Sequence, residues 1–99
     1  MNTLKKSQAY HAWFAGLNDI RARRKILARV KLAEAGSFGD HHVVDGGVWE
    51  MRIDYGPGYR IYYAQEGTTI YLLLLGGDKD TQARDITKAK AVWQAAKGK

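Results

Sequence analysis

At 99 residues the chain has room for a single domain, and its composition excludes several chemistries at once. It has no cysteine, which removes disulfide frameworks, thiolate metal sites and cysteine nucleophiles. Sixteen basic against ten acidic residues leave a net charge of +6, suited to nucleic acid, another polyanion or an acidic protein partner, and equally to plain solubility.

The opening MNTLKKSQAYHAW is basic but has no apolar run long enough for a signal peptide. The longest apolar run, Ile70–Leu75, is far too short for a membrane helix, so a cytoplasmic protein with no membrane partner is expected. Ser7 is placed to cap a helix over 8–17, where Tyr10, Trp13, Phe14 and Leu17 recur at i, i+3, i+4 and i+7. After Asn18 and Asp19 a second helix runs to about Ala35. Ile20, Ile26, Leu27, Val30 and Ala33 share one arc of it, with Arg23 and Glu34 intruding. The rest of its surface is basic (Arg21, Arg24, Lys25, Arg29, Lys31), either a solvated face or a dock for a phosphate backbone. Gly36 is a natural stop. Asp40–His41–His42 invites a metal, but adjacent strand histidines face opposite ways and no further ligands converge, so none is expected.

Val43–Val44 and a strand from Val48 flank the turn Asp45–Gly46–Gly47. Tyr55–Gly56–Pro57–Gly58 and Glu66–Gly67 supply the next turns. Thr69–Leu75 is almost continuously apolar, which places it at the centre of the sheet, covered on both faces, with Gly76–Gly77 as its end. Asp80 or Thr81 can cap a last helix carrying Ala83, Ile86, Ala89, Trp93 and Ala96 on one face. The expectation is an α+β domain spanning residues 1–99: two N-terminal helices packed on a four-stranded antiparallel sheet, with a C-terminal helix.

Strand alternation sets Trp49, Met51 and Ile53 against Glu50, Arg52 and Asp54, and sets Tyr59, Ile61 and Tyr63 against Arg60 and Tyr62. Two neighbouring strands thus each offer an arginine, and Lys79 follows in a loop before a helix N-terminus. Guanidinium forks and an ammonium there suit phosphate. Surface pairing of Glu50 with Arg52 and of Asp54 with Arg60 is the alternative. Tyr62 shares the arginine face, so it stacks on a base, hydrogen-bonds a phosphate or is an exposed strand tyrosine. GGDKDTQ lacks the GxxxxGK[ST] spacing of a nucleotide-triphosphate loop.

Three strings occur together: GVWEMRI, GPGYRIYY, and LLLLGGDKDTQARDI with a following Ala and Trp. Jointly they resemble the HigB-like branch of the RelE/ParE toxins, often described as addiction-module killer proteins. The similarity is strongest over 46–86 and reaches the first helix and SFGD. The resemblance implies a compact RelE-like toxin of a type II toxin–antitoxin system. Such a toxin is an endoribonuclease that cuts mRNA on the translating ribosome without metal or cofactor, inhibiting translation. A cognate antitoxin, a small helix-turn-helix protein, holds it inactive. By motif, Arg52 falls in the ExR strand, Arg60 in the GYR strand and Lys79 in the GGDK loop, with Gln82 and Asp85 opening the last helix. The implied catalytic residues are Arg52, Arg60, Lys79 and Asp85, and the implied RNA contacts are Tyr62, Gln82, Arg23 and Arg24. RelE-type nucleases place an acid–base group near the C-terminal helix, where this chain has Gln82, Arg84 and Asp85, so the general base stays open. ParE-type relatives share the fold and inhibit DNA gyrase instead, which is the alternative function.

Overall fold

The computed structural model describes residues 1–98. Strand β1 (Thr3–Lys6) precedes helices α1 (Gln8–Ala15) and α2 (Ile20–Glu34). Strands β2 (His41–Asp45), β3 (Val48–Ile53), β4 (Tyr59–Gln65) and β5 (Ile70–Asp78) follow, then helix α3 (Gln82–Lys97). The strands form one mixed sheet ordered β1-β5-β4-β3-β2, with β1 parallel to β5 and every other pair antiparallel.

This corrects the expected four-stranded antiparallel sheet, although the α+β class stands. The chain opens on a strand rather than on two helices. In TLKK only Leu4 is buried, so no periodicity announces β1. Its partner is distant in sequence, with Leu4 opposite Tyr71.

Capping fixes the two N-terminal helices. The Ser7 hydroxyl accepts from the Tyr10 amide at 3.0 Å and donates to the Leu74 carbonyl at 2.6 Å, tying the start of α1 to β5. Asp19 accepts from the Arg21 and Ala22 amides at 2.9 and 3.2 Å. The buried stripe of α2 is Ala22, Ile26, Val30 and Ala33. Ile20 and Leu27, expected inside, are 65% and 49% exposed.

Each face of the sheet carries a core. On one, α1 and α2 cover Leu4, Met51, Ile53, Ile61, Tyr63 and Leu73. On the other, α3 brings Ala89 and Trp93 onto Val48, Tyr62, Ala64, Leu72, Leu74 and Leu75. β5 is therefore covered on both sides, as its apolar run predicts, although β4 and not β5 is the middle strand of the sheet. It also runs through its glycines to Asp78, with Gly76 opposite Ile61 and Gly77 opposite Arg60. The two glycines are a fitting device rather than a strand end. A Cβ on Gly76 would overlap the Trp13 ring, and one on Gly77 would overlap the Asp85 carboxylate. Both helix layers approach the backbone there. Among the described residues no helix is long and apolar enough to cross a membrane.

Candidate nucleic-acid interface

Three elements deliver cations to one end of the sheet. Arg52 near the end of β3 and Arg60 near the start of β4 lie directly opposite each other across the strand pair. Like charges in that position repel, and Glu50 relieves the repulsion. Its carboxylate is 2% exposed, with Oε2 lying 3.5 Å from Arg60 Nε and 3.7 Å from Arg52 Nε. Gln82, at the start of α3, donates to Glu50 Oε1 at 2.9 Å. The acid is thus clamped from both sides and holds the two guanidinium stems. Arg60 Nη1 also donates to the Gly58 carbonyl at 3.2 Å.

Lys79 comes from the loop after β5. Asp78 Oδ1 accepts from the Asp80 and Thr81 amides at 2.9 and 3.2 Å, a side-chain turn that fixes this loop. Lys79, Arg52 and Arg60 together line an open cleft of about 450 Å³, with Asp40, Ile53, Asp54 and Gly58 as the remaining walls. Three cations converging on an open, polar cleft can hold a phosphate by bidentate and point-charge contacts.

The other sequence candidates lie elsewhere. Tyr62 is fully buried under α3, and its hydroxyl has no partner. Burial, then the nearby Glu50 and Asp85 carboxylates, push that phenol well above its ordinary range. The ring has no free face for a base, because the face that alternation marks as polar is roofed by α3. Asp85 is buried, takes a hydrogen bond from the Thr81 hydroxyl and packs on Gly77, outside the cleft lining. Gln82 is committed to Glu50. Arg23 lies 4.9 Å over the Phe14 ring, and Arg24 is exposed on α2.

Arg29, read from sequence as part of the basic surface, instead reaches inward. Nη1 donates to the Arg52 carbonyl, and Nη2 donates to the Phe38 and Asp40 carbonyls at 2.9 and 3.3 Å. Gly39 makes room for it. Its φ is +63°, and a Cβ there would lie 2.8 Å from Arg29 Nη2. One guanidinium thereby locks the loop carrying Asp40 to the end of β3. Nothing in the local sequence distinguishes Arg29 from its exposed neighbours. The start of α2 is tied to the same end of the molecule: Tyr55 donates to Asp19 Oδ2 at 3.1 Å, and Lys25 lies 5.2 Å over the Tyr55 ring.

His42 pairs with Asp40 at 3.0 Å, and the His41 ring contacts the Gly39 carbonyl. Among the described residues no group of three or more His, Asp or Glu side chains is placed to hold a metal ion.

Residues 12–97 match the family described as Phage derived protein Gp49-like (DUF891), a toxin-like addiction-module family. An uncharacterized protein of Haemophilus influenzae is 42% identical over 91 residues, covering 92% of each chain.

Proposed function

Because this chain belongs to the Gp49-like family of phage-derived proteins, we propose that it is the toxin of a type II toxin–antitoxin pair and acts as an mRNA endonuclease on the ribosome. The observation that carries the reading is the convergence of Arg52, Arg60 and Lys79 on one open cleft. The similarity of the GVWEMRI, GPGYRIYY and GGDK strings to the HigB-like branch of the RelE/ParE toxins points the same way.

The proposed step is internal transesterification. A ribose 2′-OH loses its proton and attacks the adjacent phosphorus. The P–O5′ bond then breaks, leaving a 2′,3′-cyclic phosphate and a 5′-hydroxyl. Arg52 and Arg60 stabilise the charge that builds on the phosphoryl oxygens, held in advance by Glu50 so that little reorganisation is needed. The Lys79 ammonium gives its proton to the leaving O5′. Asp40 and Asp54 are the carboxylates on the cleft wall, and one of them takes the 2′-OH proton. The chain's own three cations supply the positive charge at the phosphate. Asp85 and Tyr62 support the site through packing. Arg21, Arg24 and Lys25 extend the positive surface along α2 for the RNA backbone.

The test is induction of the chain in a bacterial host followed by mapping of mRNA 5′ ends. The reading expects growth arrest with new ends at codon-linked positions, absent for Arg60→Ala. Arrest with intact mRNA and accumulating DNA breaks would replace it with gyrase inhibition.

A further inference from the structure

A second opening, of about 150 Å³, lies towards the other end of β3 and β4 from the cleft. Phe38, His41, Trp49, Tyr63, Gln65 and Tyr71 line it. Its floor belongs to the core on the α1/α2 face, where Phe38 stacks on Tyr63 at 5.0 Å and sits 4.9 Å from Tyr71. Its wall is open. The His41 ring lies 5.7 Å from Trp49, His41 is exposed and Trp49 is 36% exposed. Core aromatics ordinarily close over one another, whereas these leave a slot with room for one ring system.

We propose that this slot receives a single nucleobase of the RNA whose backbone lies in the arginine cleft, an inference that rests on the function proposed above. The lining favours a heterocycle over an aliphatic side chain. Every lining residue but Phe38 carries a polar side-chain atom, which an aliphatic guest would leave unpaired. A base offers ring faces for stacking and edges for hydrogen bonds. His41 Nδ1 is taken up by the Gly39 carbonyl at 2.7 Å, which leaves Nε2 for a base edge. Gln65 Nε2 bonds the Thr68 carbonyl at 3.2 Å, which leaves its amide oxygen.

Continuity with the cleft argues that the base arrives on the same strand. Asp40 lines the cleft and the next residue, His41, lines the slot on the other face of the sheet, at its β2 edge, so the strand passes from one to the other around that edge. Trp49 and Arg52 are three residues apart on β3, on opposite faces and roughly 10 Å apart along the strand. Phosphate at the cleft gives affinity without reading sequence, and a base in the slot adds selection.

The experiment measures binding of the full chain to a labelled five-nucleotide 2′-O-methyl RNA, which the proposed chemistry cannot cut, and to the same backbone lacking bases. Wild type should prefer the base-bearing strand by about ten-fold. Trp49→Ala should abolish that preference while binding the abasic strand as wild type does, and Trp49→Phe should keep it. Equal binding of both strands by wild type, or a preference that survives Trp49→Ala, would overturn the slot alone. No binding of either strand would overturn the slot together with the nuclease reading. Loss of antitoxin affinity in Trp49→Ala, with RNA binding intact, would make the slot a protein dock and contradict the proposal.

Discussion

Among single residues, the proposed function divides the side chains that would meet substrate, Arg52 and Arg60, from those that hold them, such as Glu50. Arg52→Ala and Arg60→Ala should each lower cleavage by about a hundred-fold or more while leaving a folded protein, because in the proposed reaction both act on charge that develops only in the transition state. Cleavage rates and circular dichroism on the same preparations check this. Tyr62→Phe should behave oppositely. Its hydroxyl is buried without a partner, so removing it should raise stability by about 1 kcal/mol in urea unfolding and leave cleavage unchanged. A drop in stability would mean that the hydroxyl is paired. Alternation along β3 and β4 made Arg52, Arg60 and Glu50 legible in the sequence, because strand side chains repeat with a period of two. What it could not reveal is that α3 roofs this face, which turns Tyr62 into core and Glu50 into a buried counter-ion.

At the scale of elements, the glycines of β5 decide how closely the two helix layers approach. Gly76→Ala meets the Trp13 ring and Gly77→Ala meets the Asp85 carboxylate. Each should destabilise by about 3 kcal/mol, since ring and carboxylate are both hemmed in by their helices. Gly67→Ala, which meets only ordinary contacts from Ile70, should stay within about 0.5 kcal/mol. Denaturant midpoints of the three variants check the contrast. Gly77→Ala should also cost activity, because it displaces the start of α3 and with it Gln82 from Glu50. From sequence, Gly76–Gly77 reads as a strand end because glycine punctuates strands. Its use as a seat for two helices depends on contacts 63 and 8 residues away. β1 was illegible for a related reason: one buried leucine in four residues gives no pattern, and its pairing is long-range.

At the scale of the whole molecule, burial of phenols couples stability to alkaline pH. Burial pushes Tyr10 up to about 12 and drives Tyr62 and Tyr63 higher still. Unfolded tyrosine titrates near 10, so the folded state favours the protonated form. The stabilisation is therefore complete below about pH 10 and is lost as pH rises through 12 and beyond. Ionisation of these three side chains should accompany unfolding, as spectrophotometric titration alongside far-ultraviolet dichroism would show. Charge acts over the same scale on binding. Under the proposed function, affinity for single-stranded RNA should fall as salt rises, and Arg60→Ala should make that fall shallower. The most direct test of the central claim is the single-turnover rate of cutting ribosome-bound mRNA by wild type and by Arg60→Ala. Wild type should cut to leave a 2′,3′-cyclic phosphate, and the variant should not cut. Equal cutting by a folded Arg60→Ala protein would contradict the claim.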